Sequence, residues 1–189
     1  MNLVYGIGIN DSTLPTKVNY IQLGSYKCWS NMIRRCYDLK FQVKHPSYIG
    51  CEVCDEWISF SNFAKFYDLY WKQGYCLDKD ILVQGNKMYS PSLCRFIPNA
   101  INVLLTDSRR SRGKYPIGVS YVAKTNKYRV KLSRYGHNYH IGLFDSIEDA
   151  HCAWKIEKTK HVIQVANEYY TNNLIPIEIR DALLNYNFD

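Results

Sequence analysis

Residues 115–154 read YPIGVSYVAKTNKYRVKLSRYGHNYHIGLFDSIEDAHCAW, and this stretch decides the fold of the C-terminal half. Three short β-like runs, IGVSYVA, KYRVKL and YHIGLF, are separated by turn residues at Lys124 to Asn126 and at Arg134 to Asn138. In the middle run the pleat separates Tyr128, Val130 and Leu132 from Arg129, Lys131 and Ser133. Ser146 can cap a following helix, with Asp149 three residues on in the manner of a capping box with the shorter acid. That helix turns Ile147, Ala150, Ala153, Trp154, Val162 and Val165 toward the sheet, and its alanines permit close approach. Three strands on one helix leave the opposite sheet face bare, and here the residues assigned to that face are cationic.

The charge distribution supports the same surface. Leu105 to His140 holds Arg109, Arg110, Arg112, Lys114, Lys124, Lys127, Arg129, Lys131 and Arg134, with Asp107 the sole anion. This segment carries +8 against +7 for the whole chain, so the remainder sums to −1 and the positive charge belongs to this one stretch, the footprint expected of a phosphate-binding surface. Residues 107–116, DSRRSRGKYP, are nearly devoid of large apolar side chains and form the expected boundary, a basic linker able to follow a phosphate backbone.

Ahead of that linker the expected organisation is an arm at 1–24 and a helical module at 25–106. The arm, punctuated by glycine and proline, is expected to pack loosely with one short strand at Leu3 to Ile9. Trp29, Met32, Ile33 and Cys36 recur at helical spacing, as do Trp57, Phe60, Phe63, Phe66, Tyr67 and Tyr70, which predicts two helices, the second ended by Gly74. A strand over Leu77 to Val83, a turn at Gln84 to Asn86, a short strand near Met88 and a helix or irregular turn after Pro91 then follow. IPIEIRDALLNYNF closes the chain as an amphipathic segment packing back on the second module, 117–189. The fold class is α+β, in two small modules.

Gly118 and Val119, Tyr128, Ile141-Gly142-Leu143-Phe144 and the helix start DSIEDAHCAW resemble the DNA-binding domain of plant ethylene-response factors, which also occurs in phage and mobile-element proteins. The resemblance covers roughly residues 115–160 and implies that the sheet, not the helix, reads double-stranded DNA. The matching outward positions are Ser120, Lys131, Ser133 and His140, with Arg129 and Arg134 adjacent. Ser120 and His140 depart from the arginines and tryptophans usual there, so no target sequence carries over.

WSNMIRRCY, HPSYIGCEVCDEW, LDKDILVQGNKMYSPSLCRFIP and PIGV together resemble phage proteins that join such a domain to an HNH homing-endonuclease-like half. That likeness implies a ββα frame around a divalent metal, Mg²⁺ or Mn²⁺, nicking or cleaving DNA. In LDKD, Asp78 and Asp80 are the implied metal ligands, their alternate strand positions putting both on one face. Lys79 stands at the general-base position, and a surface lysine is protonated at neutral pH and cannot accept a proton. Lys79 or Lys87 would then sit near the scissile phosphate; Asn99 and Asn102 lie on the helical side, and His45 is a remote candidate base. The alternatives are a degenerate frame in a non-catalytic regulator or counter-defence protein, and an interaction module whose basic face meets an acidic protein.

Cys51 and Cys54 form one CxxC knuckle that Cys36 and Cys94 could complete as a Cys₄ zinc site. The bland reading is that these cysteines are small core hydrophobes, which a lone knuckle favours. Seven cysteines, no signal-peptide pattern and no membrane-length apolar run give the expectation of a soluble protein in the reducing cytoplasm of a host cell.

Overall fold

The computed structural model describes residues 3–13, 15–106 and 113–188. The chain is α+β and divides into two compact units, 1–99 and 100–189. The division falls ahead of the expected linker, so the helix preceding the basic stretch belongs almost wholly to the second unit. No helix among the described residues is long and apolar enough to cross a membrane.

In the first unit a two-residue hairpin, β1 (Lys17–Val18) and β2 (Ile21–Gln22), precedes α1 (Gly24–Tyr37). The helical stripe is realised: Trp29, Met32, Ile33 and Cys36 are all buried. α2 (Leu39–Lys44) follows after Asp38, whose carboxylate accepts from the Phe41 amide at 3.2 Å. Trp29 Nε1 donates to the Trp57 carbonyl at 2.8 Å, and Trp57 packs edge-on to Phe63. An aromatic core therefore joins α1 to the next helical region.

That region is two helices, α3 (Asp55–Ile58) and α4 (Phe60–Tyr70), where periodicity predicts one. The break has a cause in the arm: Ile9 N donates to the Ile58 carbonyl and Phe60 N donates to the Ile9 carbonyl, both at 2.9 Å. Ser59 caps α4 and donates to Asp11 Oδ2 at 2.6 Å. Val4 and Ile7 pack on the core, so the arm is docked rather than loose, and Leu3 to Ile9 forms turns and isolated bridges rather than a strand. The helix ends at Tyr70, ahead of Gly74, which instead turns the chain into β4 (Tyr75–Asp78) with φ at +83°.

The strand expected at Leu77 to Val83 lies earlier and pairs differently. β4 runs antiparallel to β6 (Arg95–Pro98), with Asp78 opposite Arg95. β5 (Met88–Tyr89) instead pairs in parallel with β3 (Glu52–Val53). An irregular turn follows Pro91, and α5 (Asn99–Leu105) carries Asn99 and Asn102.

In the second unit β7 (Val119–Val122), β8 (Lys127–Arg134) and β9 (His137–Phe144) form an antiparallel sheet in that order. The turn between β8 and β9 is shorter than expected. Tyr135 and Gly136, with φ at +49° and +80°, supply the two left-handed residues of a tight hairpin. The sheet packs on α6 (Ile147–Thr171), with Val130, Leu132, Ala150 and Trp154 forming the buried contact. Ser146 caps α6 as expected, accepting from the Asp149 amide at 3.0 Å; the Asp149 carboxylate returns to the Ser146 hydroxyl. α7 (Ile177–Leu184) buries Ile179 and Leu183, and Phe188 meets Trp154 edge-on, so the C-terminal segment does pack back.

Candidate nucleic-acid interface

Backbone register sorts the sheet residues into two faces. Val119 stands opposite Val130, and Ser120 opposite Arg129. On the other side Arg129 faces Leu143, Lys131 faces His140 and Ser133 faces Asn138. Directly opposed residues project to the same side. Val130 and Leu132 are buried on the helix side, so Ser120, Arg129, Lys131, Ser133, Asn138, His140 and Leu143 share the open side. Lys131, Ser133 and His140 are exposed there, whereas Ser120 and Arg129 are half-buried.

A register shift between Val130 and Lys131 sets this arrangement. Gly142 pairs with Val130 while His140 pairs with Lys131, leaving Ile141 as the extra residue of a β-bulge. Ile141 packs on the core with Val130 and Trp154. The bulge thereby keeps an apolar side chain inside and puts His140 outside, beside the lysine. Simple alternation along YHIGLF would not show this.

Neither Arg129 nor Lys131 is in an ion pair among the described residues, and the Arg129 Nε is buried without a hydrogen-bond partner. Ser120 Oγ points back to the Arg129 carbonyl at 3.4 Å. Lys127, at the sheet end, pairs with Asp145 at 3.1 Å. Arg134 does not belong to the open face. Its guanidinium pairs with Glu157 of α6 at 2.6 Å, which neutralises it against its own unit. Lys114 is exposed, its ammonium 5.1 Å from the Tyr115 ring. Arg109, Arg110 and Arg112 lie outside the described residues.

The LDKD stretch of the first unit is built as a knot. Asp78 Oδ1 accepts from the amides of Asp80 and Ile81 at 2.8 and 2.7 Å, closing an Asx turn at the end of β4. Asp80 is therefore past the strand, and the alternation expected to align it with Asp78 does not apply. Lys79 is buried, not at the surface. Its ammonium contacts both Asp80 oxygens, at 2.7 and 2.8 Å, and also donates to the Asn86 carbonyl. The Asn86 side chain returns by donating to the carbonyls of Lys79 and Met88 at 2.8 and 2.7 Å. Burial raises the Asp78 carboxyl above its ordinary range, against the pull of those two amides. Lys87 donates to the Ser47 carbonyl at 2.8 Å, and the exposed His45 stacks on Phe41.

No family model matches the chain, and neither a curated protein nor a solved structure is similar to it.

Four of the cysteines lie in one neighbourhood. Cys36, Cys51 and Cys94 are buried, Cys54 is half-buried, and all four belong to or pack on the aromatic core. Burial pushes the Cys36 and Cys94 thiols up to about 12. Among the described residues no group of three or more His, Cys, Asp or Glu side chains is placed to hold a metal ion. Missed from the sequence altogether were Lys158 and His161, buried on α6 although their charge or polarity reads as surface.

Proposed function

We propose that this protein binds double-stranded DNA through the open face of the β7-β8-β9 sheet. One observation carries the reading: among the described residues Arg129 and Lys131 stand on the sheet face opposite α6, without carboxylate partners, between hydroxyl, amide and imidazole side chains. A β-surface of this size fits the major groove, where cations meet phosphates and base edges can be told apart. Arg129 adds a second cation to that face, able to meet guanine or phosphate through its terminal guanidinium nitrogens. Arg134, spent on Glu157, contributes shape rather than charge.

The first unit supports a non-catalytic form of this reading. Asp78 uses an oxygen on backbone amides, and Asp80 is taken up by a buried ammonium. A residue so engaged closes a loop rather than opening a metal shell, and the Lys79 nitrogen is already committed to Asp80 and the Asn86 carbonyl. The chain is then a regulator or counter-defence protein with a degenerate nuclease frame, working in the cytoplasm that holds its target DNA. A mobility-shift titration over a salt series tests the binding. A steep loss of affinity with salt that flattens by about one counterion on Lys131→Ala is expected. Salt-independent binding, or none, overturns it.

A further inference from the structure

The second unit contains a half-open cavity of about 590 Å³, within the size range of small-molecule sites. Its origin lies in unequal strand lengths. β7 begins at Val119, opposite Val130, and the last ladder contact on that side is Lys131 N to the Gly118 carbonyl at 2.9 Å. β8 continues to Arg134, so its last residues have no strand beside them on the β7 side among the described residues. Antiparallel alternation directs the Ser133 amide and carbonyl toward that vacated side. α5 and α6 supply the other walls.

The lining combines apolar surface with buried nitrogen. Leu104, Leu132, Trp154 and Val165 give the apolar part, while Lys158 and His161, one turn apart on α6, give the polar part. His161 is only 2% exposed, and its Nδ1 has no hydrogen-bond partner. An unpartnered buried polar atom, here on a residue that lines the cavity, is costly unless a partner is supplied. Lys158 is 9% exposed and donates to the Leu104 carbonyl at 2.6 Å, leaving two of its three ammonium donors. No carboxylate pairs with it among the described residues, and no acidic side chain is among those lining the cavity.

We infer that this cavity binds a small organic anion, an apolar body against Leu132 and Trp154 with one acidic group at Lys158 and His161. Charge complementarity selects the anion: the Lys158 ammonium lines the space, and no acidic side chain among the lining residues opposes it. The unpartnered His161 nitrogen adds a hydrogen-bonding position one turn along α6. The site stands whether or not the open face meets DNA.

Two dyes test it on the full chain. Anilinonaphthalene sulfonate carries an anionic group on an aromatic body, and neutral phenylnaphthylamine has the same body without it. The sulfonate is expected to bind saturably, one per chain, and at least about ten-fold tighter than the neutral dye, the ratio of a charge-assisted hydrogen bond. Lys158→Met should weaken the sulfonate about ten-fold and leave the neutral dye unchanged, with Lys158→Arg retaining the preference. Because Lys158→Met could unfold the unit, Val103→Trp provides a second arm: Val103 is exposed on α5 yet lines the cavity, and the indole should block both dyes. Equal affinity for the two dyes, or sulfonate binding that survives Val103→Trp, overturns the inference. Adsorption of sulfonate to the exposed cations of the sheet would produce the latter result.

Discussion

Lys131 stands directly opposite His140 across β8 and β9, one step past the bulge that tucks Ile141 into the core. That pairing makes the open face a test of register as well as charge. Lys131→Ala should reduce affinity for any duplex about ten-fold and lower the salt slope by about one, because a phosphate contact acts uniformly across sequences. Arg129→Ala should cost about as much but relax preference among sequences if the guanidinium reads a base. Arg134→Ala should leave DNA affinity nearly unchanged while lowering the melting temperature, since its partner is Glu157. Titrations of the three variants against one duplex check the order; equal losses would remove the face assignment.

Asp80 and Lys79 make the second prediction. Asp80→Asn removes the countercharge of a buried ammonium, and loss of one partner costs more than the pair contributes. Asp80 is itself 44% exposed at the side chain, so water replaces part of the lost interaction and about 1–3 kcal/mol of destabilisation is expected. Urea denaturation measures it. In parallel, supercoiled plasmid incubated with wild-type protein and Mg²⁺ or Mn²⁺ should stay supercoiled. Nicking that disappears in Asp78→Ala with DNA binding intact would restore the catalytic reading.

The contrast between these two regions shows what can be read from sequence. Alternation of Val130 and Leu132 with Arg129 and Lys131 is local, set by the pleat, and it placed both faces of β8 correctly. Arg134, named beside the outward positions only through the resemblance, falls by the same alternation with Val130 and Leu132 on the helix side, where it meets Glu157. Pairing of β4 with β6, rather than with the nearer Met88, depends on a contact across the whole intervening loop, which no window of residues encodes. The break at Ser59 is likewise imposed from outside, by Ile9 and Asp11 of the arm. Lys79, Lys158 and His161 were legible only as polar letters, since burial of a charged side chain is decided by its partner and not by its own preference.

Gly118 gives the third prediction. Its φ is +75°, and a Cβ there would come within 2.1 Å of the Trp154 ring and 2.8 Å of the Lys131 carbonyl. The tryptophan is wedged between sheet and helix, and the carbonyl is backbone, so neither can retreat cheaply. Gly118→Ala should destabilise the second unit by about 3 kcal/mol or more, combining backbone strain with overpacking. The melting transition should fall by many degrees, and DNA binding should vanish with it. A stable variant would mean that Trp154 has another rotamer to occupy.

The last prediction concerns alkaline pH, where the two units should respond in opposite directions. Burial pushes the Cys28, Cys36 and Cys94 thiols of the first unit up to about 12, from an ordinary value of 9.0. Between those values the folded state holds protons that the unfolded chain has released. Their contribution to stability is therefore complete below pH 9 and is lost as pH climbs toward 12. Lys158 in the second unit has the reverse sign. Burial lowers it to about 8 from 10.5, so the unfolded chain binds the extra proton and that unit gains stability as pH rises across this interval. Thiol labelling separates the two, because the exposed Cys152 reacts at once while Cys36 and Cys94 report opening of the first unit. Raising pH from 8 to 10 should lower the urea concentration at which Cys36 and Cys94 become reactive, after correction for the intrinsic thiolate fraction. Cys36→Ala should flatten that slope, and a midpoint that rises with pH would contradict the burial of these thiols.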